Sequence, residues 1–263
     1  MPHPAAQPVS DTARGHELRW SLLGPDLLAE PELPLFHWPA THRQAVDEMV
    51  APPEPMARRL GRRFEQHWQH GLSQWARASV LGTGIQVRAA GRTIGELDLL
   101  MQHAGVVWHL ELAVKFYRCI RGRSGDAWSD WIGPGGRDRL DLKLHRMRTH
   151  QVPLGTTEPA RAELDRLGLP HPTRSAAVLR GLRFADWRAP RSDAAGRWCR
   201  AAELEDALPT ARLLTRSAWL GAGPGTPADW RDGAALTAAV MQTLVHGAVQ
   251  AIDPTGCRWL IVP

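Results

Sequence analysis

The sequence predicts a mixed α/β protein whose central elements run helix, three-strand antiparallel meander, helix, strand. Three observations carry this: an apolar stripe at helical spacing, three alternating segments after it, and very short connections between those segments. Residues 56–186 form the expected core. Residues 1–55 read as an N-terminal extension packed on it, and residues 187–263 as a C-terminal helical elaboration ending in a strand.

Each element has its own reason. The first 55 residues are proline-rich, ending in Ala51-Pro52-Pro53-Glu54-Pro55, with apolar pieces such as Leu18 to Leu28 that suit short helices. From Met56 to about Arg77, Leu60, Phe64, Trp68, Leu72 and Trp75 recur every three to four residues and mark an amphipathic helix carrying Glu65. Ser79 to Arg88, Thr93 to Met101 and Val106 to Tyr117 read as strands, and Ala89-Ala90-Gly91-Arg92 and Gln102-His103-Ala104-Gly105 as hairpin turns. Arg118 to Gly136 reads as a loop with Trp128, Trp131 and the turn Gly133-Pro134-Gly135-Gly136. A helix is expected from about Asp138 to before Pro153, with Leu140, Leu144 and Met147 on one face. Ser175 to Ala185 suits a buried strand, Arg188 to Arg200 a polar loop, Ala201 to Leu208 a short helix, Asp232 to Gln250 a helix, and Cys257 to Val262 a last strand.

Composition sets outer bounds. With 263 residues and 43% hydrophobic content the chain can bury an ordinary core. No apolar run approaches the roughly 18 residues of a membrane-crossing helix, and Met1-Pro2-His3-Pro4 does not open a secretory leader. A cytoplasmic location without membrane attachment is therefore expected. Cys119, Cys199 and Cys257 are odd in number and widely spaced, which suits reduced thiols better than a disulfide framework or a zinc site. No Walker loop, GxGxxG or Gly-x-Ser-x-Gly is present.

Charge is uneven along the chain. Residues 51–200 hold 25 basic and 14 acidic residues, a net of +11, whereas both ends are net acidic. A basic centre suits a polyanion such as nucleic acid; a general codon preference for arginine is the competing account. The chain has 30 Arg, no Asn and two Lys, Lys115 and Lys143. Arginine is permanently charged, whereas a lysine amine can be tuned, so Lys115 is a candidate for chemistry arginine cannot perform.

The candidate chemistry lies on the second and third strands. In Thr93-Ile94-Gly95-Glu96-Leu97-Asp98, alternation puts Glu96 and Asp98 on one face, and in Trp108 to Tyr117 it puts Glu111, Ala113 and Lys115 on one face. Two acids sharing a strand face repel unless a cation joins them, and carboxylates with water suit Mg²⁺ or Mn²⁺. A solvated hairpin face and a Glu111–Lys115 surface pair are the plainer readings.

On these residues the sequence resembles the PD-(D/E)XK nuclease superfamily, whose restriction-endonuclease-like core has the same element order. The resemblance implies metal-dependent phosphodiester hydrolysis on nucleic acid, DNA more than RNA. It assigns Asp98, Glu111 and Glu96 to the metal, Lys115 to the attacking water or the developing phosphate charge, and Glu65 to a second ion or water. It also implies that Arg137, Arg139, Lys143 and Arg146 contact phosphates and that Trp128 and Trp131 stack on bases. Gly95-Glu96-Leu97-Asp98-Leu99-Leu100, His109 to Tyr117, Trp131-Ile132-Gly133-Pro134 and Asp138 to Lys143 look like the bacterial uncharacterised-domain family numbered 1853.

One departure stands out. The superfamily spaces its third-strand acid and lysine as acid-x-Lys, but Glu111 and Lys115 are four apart, roughly 13 Å of strand instead of about 7 Å. Ala113 stands where the acid belongs. Glu96 or Glu111 could supply the carboxylate from a shifted position, a bulge could shorten the gap, or the site could have decayed. The alternative function is a catalytically inactive nucleic-acid-binding or scaffolding protein that keeps the fold. Of the other polar features, His67 and His70 and the run Arg58, Arg59, Arg62, Arg63 read as solvated helix face.

Overall fold

The computed structural model describes residues 12–29, 33–190 and 193–263. The chain divides into two compact units, one of the described residues up to Val114 with Leu144–Arg180, the other of Lys115–Lys143 with Gly181–Pro263.

The first unit opens with α1 (Ala13–Leu23), capped by the Thr12 hydroxyl accepting from the Gly15 N–H at 3.0 Å, and the short α2 (Arg43–Asp47). The amphipathic helix is α3 (Leu60–Gln74), which buries Phe64, Trp68 and Leu72. It lies close against α1, because Gly71 leaves room for Leu22: a Cβ there would stand 2.7 Å from a Leu22 methyl. The Trp68 indole N–H donates to the Ser21 carbonyl at 3.0 Å.

Two residues expected on a solvated helix face are inside. Arg63 donates to Glu17 at 2.6 Å, and both are buried. His67 is fully buried beside the Ser21 hydroxyl, 2.8 Å from its Nδ1. Periodicity missed both because their partners come from α1, far away in sequence.

The meander is β1 (Ala78–Ala89), β2 (Arg92–His103) and β3 (Val106–Cys119), antiparallel throughout. Ala89 pairs with Arg92 and His103 with Val106, so each turn has two residues, Ala90-Gly91 and Ala104-Gly105. All four have positive φ, between 48° and 77°, matching the strand twist as type I′ turns do. The helix expected from Asp138 is α4 (Leu140–Arg146), continued by a π turn over Met147–Gln151 and a 3-10 turn over Val152–Thr156. Pro153 opens that last turn, where its missing N–H leaves nothing unpaired.

Helix α5 (Glu158–Leu167) was not expected from the pattern, although its signals are local: Thr157 caps it, Pro159 lies in its first turn and Gly168 ends it at φ 67°. Ala160 and Leu164 of α5, with Leu154, pack on Ile85, Val87, Leu97, Leu100 and Val107 as one apolar cluster.

In the second unit β4 (Trp131–Ile132) pairs with the end of β3, and β5 (Arg174–Asp186) pairs in its last residues with β6 (Gly196–Arg200) in parallel. Then come α6 (Leu204–Ala207), β7 (Thr210–Leu214), β8 (Trp230–Asp232), α7 (Gly233–Leu244), β9 (Val249–Ile252) and β10 (Arg258–Val262). The strand at Ser175 to Ala185 and the last strand were expected; β6 to β9 were not. Residues 187–263 are therefore richer in strand than the helical elaboration expected, because strands of three to five residues are too short to show a period. The helix expected to reach Gln250 stops at Leu244, since Gly247, at φ 110°, turns the chain into β9. Leu236, Val240 and Leu244 pack on Ala211, Val249, Ala251, Trp259 and Ile261. Arg121 makes a two-pronged pair with Glu203 at 2.6 and 2.7 Å and donates to Asp186 at 2.6 Å.

Among the described residues the ten strands belong to one sheet, in the order β1-β2-β3-β5-β6-β10-β9-β7-β8 with β4 beside β3. The three cysteines are free thiols, and no described helix is long and apolar enough to cross a membrane.

Burial holds His67 down to about 3 and His109 down to about 4, against an ordinary 6.5. Below pH 6.5 the unfolded chain binds protons that these two buried rings refuse, so their contribution is complete above that pH and lost as pH falls towards 4. Each histidine adds a slope of up to about 1.4 kcal/mol per pH unit. Carboxylates held low by arginine, such as Glu203, add their loss only below 4.5. Urea unfolding at several pH values should show stability falling between about pH 6.5 and 5; a flat profile there would contradict this account.

Candidate functional site

The ladder between β2 and β3 is recorded from His103↔Val106 to Leu99↔Leu110. Asp98 and Glu111 are the next residues of the two strands, just beyond that last recorded pair. The Asp98 carboxylate reaches across and accepts from the Leu112 N–H at 2.9 Å, so a side chain takes a donor at the end of the ladder. Glu111 is 3% exposed and accepts a hydrogen bond from the Gln151 amide.

Glu96, two residues before Asp98, accepts from the Gln86 amide and lies 3.4 Å from Arg62 Nη1. The same Arg62 nitrogen donates to Glu65 at 2.7 Å. The hydrogen bond and charge of Glu65, then the charges of Glu96 and Asp98, hold the Arg62 guanidinium above its ordinary value. Three of the four candidate acids thus surround an arginine whose side chain is 58% exposed. A cation does join these acids, and it comes from α3.

Lys115 falls in the second unit, where its Nζ donates to Asp138 Oδ2 at 2.5 Å. Both members are partly exposed. On the same strand Tyr117 is fully buried, and burial followed by the charge of Asp138 pushes its phenol well above the ordinary range. Of the candidate phosphate contacts in this unit, Arg137 is exposed, Arg139 is paired with Asp141 at 2.6 Å and Lys143 is half-buried. Arg146, in the first unit, is exposed. Trp128 is exposed, but Trp131 is only 2% exposed and its indole donates to the Gly125 carbonyl at 2.9 Å. Trp131 is therefore a core residue and is not positioned to stack on a base.

Among the described residues no three His, Cys, Asp or Glu side chains gather into a group that could hold a metal ion. Asp98 and Glu111 make a pair of hard oxygen donors, and Mg²⁺ is often bound by only one or two carboxylates plus water and substrate phosphate. The chemistry of these donors suits such an ion, and among the described residues they do not form a closed protein cage.

A family model described as a domain of unknown function, DUF1853, matches residues 16–253. The chain belongs to the DUF1853 family. No curated protein and no solved structure matches it.

In this DUF1853 chain, sequence reasoning found the acids and the lysine but missed their partners Arg62, Gln151 and Asp138. Arg62 had a visible signal, since it lies one helical turn before Glu65; Gln151 had none. The partners give a testable order of stability. Glu111→Ala removes a buried acceptor and should cost about 1–3 kcal/mol, whereas Lys115→Ala breaks a partly exposed pair and should cost less than about 1 kcal/mol. Urea unfolding of both variants measures this, and the reverse order would contradict it.

Proposed function

We propose that this protein is a metal-dependent phosphodiesterase acting on nucleic acid. The reading rests on one observation: Asp98 and Glu111 lie on adjacent strands just past the last recorded pair of their ladder, with Glu96 two residues before Asp98 and Glu65 held by the same arginine as Glu96. This pairs with the resemblance of the segment to PD-(D/E)XK nucleases, and the basic centre of the chain suits a polyanionic substrate.

Asp98 and Glu111 would hold Mg²⁺ or Mn²⁺, with Glu96 available beside them. The bound ion would supply Lewis-acid polarisation of a phosphoryl oxygen and acidify a water. The chain's own groups have further roles in this reading. Arg62, more than half exposed, can swing away from Glu65 and Glu96 towards a phosphate oxygen, exchanging a carboxylate partner for the substrate. Gln151 holds Glu111 in one orientation. Lys115, paired with Asp138, is the lysine that the resemblance assigns and is tested with Asp98 and Glu111.

A second reading, an inactive nucleic-acid-binding protein, is favoured by the absence of a three-donor group among the described residues and by the arginine already standing among the acids. One assay separates the two. Purified full chain with Mg²⁺ or Mn²⁺ is incubated with single-stranded, duplex and branched DNA and RNA, alongside Asp98→Asn, Glu111→Gln and Lys115→Ala. Phosphodiesterase action requires metal-dependent cleavage that falls by about a hundredfold or more in Asp98→Asn, the order seen when a group stabilising the transition state is removed. Binding without cleavage, equal in wild type and variants, would replace it with the second reading.

A further inference from the structure

On the sheet face of the second unit turned away from α7, three strands gather Arg212, Gln250 and Arg258. Arg212 of β7 and Arg258 of β10 both pair with Ile252 of β9, one from each side, so they stand in one row. Gln250 lies two residues along β9 and shares their face. Arg258 Nη2 donates to Gln250 Oε1 at 2.6 Å and to the Trp219 carbonyl at 3.1 Å. Arg212 Nη2 donates to the Gly223 carbonyl at 2.7 Å. Gly225 presses on the Arg212 guanidinium so closely that a Cβ there would lie 2.6 Å from Nε.

The group lacks a counter-charge. The two fully buried arginines have one, Arg63 with Glu17 and Arg180 with Asp26, as does half-buried Arg121 with Glu203 and Asp186, whereas half-buried Arg118 lies over the Trp198 ring with no carboxylate in ion-pair distance among the described residues. Among the described residues neither Arg212 nor Arg258 has a carboxylate within ion-pair distance. Asp229 acts on Arg212 only through its field, its carboxylate being engaged by the Thr226 N–H and hydroxyl at 2.6 and 3.0 Å. Three N–H groups are also buried without a partner: Nε of Arg212, Nε of Arg258 and Nε2 of Gln250, a residue with 0% exposure. Burial, reinforced by the charge of Arg212, brings Arg258 down to about 10, which leaves it a cation at neutral pH. Two half-buried cations on one sheet face, with buried donors to spare, are unfavourable unless an anion joins them.

We propose that Arg212, Arg258 and Gln250 form a binding site for a phosphate group. Two guanidinium forks supply the charge that matches a phosphate dianion, and arginine and amide N–H groups suit its several oxygens. The site lies wholly within the second unit and does not depend on the phosphodiesterase reading. The phosphate can belong to a small free anion or to the end of a nucleic acid strand, which carry the same chemistry.

Calorimetric titration and thermal unfolding of the full chain with sodium phosphate test the site, with sodium chloride at equal ionic strength as the control. A saturable single-site isotherm and a phosphate-specific rise in Tm are expected, with affinity at least tenfold weaker in Arg212→Gln. Gln250→Glu sets a carboxylate against Arg258 in nearly the same shape. It should raise Tm without phosphate and remove the response to phosphate, so the test does not rely on a variant of the more buried arginine. Phosphate acting no more strongly than chloride, or equally on wild type and both variants, would overturn the proposal. Competition by a 5′-phosphorylated oligonucleotide, and not by its unphosphorylated form, would assign the site to a strand end; no competition by either would assign it to a small free phosphate.

Discussion

The placement of the candidate acids of β2 and β3 depends on the antiparallel register of those two strands. Because side chains alternate, a slip of one residue would send Asp98 to the opposite side and leave Glu111 facing another partner. Register is fixed at both ends of the hairpin. At the turn, Ala104 and Gly105 take left-handed conformations that leave no length to spare, and at the far end the Asp98 carboxylate holds the Leu112 N–H. Between them Leu99 and Leu110 are buried, so a slip would also drive apolar groups into water.

A second constraint follows from composition. With arginine as almost the only cation, each buried positive charge is wide, planar and permanent, and needs acceptors in its plane. Most find a carboxylate, and the two-pronged pair of Arg121 with Glu203 is the fullest case. Arg62 is different in kind: it sits among Glu65, Glu96 and the field of Asp98 at the surface, where water screens the interaction and the side chain can exchange partners. The same guanidinium chemistry thus fixes the structure where it is buried and leaves it adaptable where it is exposed.

What the sequence disclosed depends on whether the cause was local. The α3 stripe from Leu60 to Leu72, the strand alternation around Glu96 and Asp98 and the Ala-Gly turns are short-range features, and those elements appear as expected. β6, β7, β8 and β9 are brief strands whose place in the sheet comes from neighbours distant in sequence, as when β10 pairs with β6 on one side and β9 on the other. The run from Asp232 to Gln250 reads as one helix, but the helix ends at Leu244 and Gly247 divides it from β9. At the candidate site, identities and faces were legible. Glu111 bonding to Gln151, Lys115 to Asp138, and Trp131 lying in the core were not, because each depends on packing between segments.

Lys115 also bears on how the molecule meets reagents. Lys115 and Lys143 are the two lysines in a chain of 263 residues, and Lys115 is a third exposed while held to an acid. Side-chain amine chemistry therefore falls on two positions, both within Lys115–Lys143. Acylating agents, aldehydes and lysine-specific proteases, which mark most proteins all over, would here report almost entirely on that one segment.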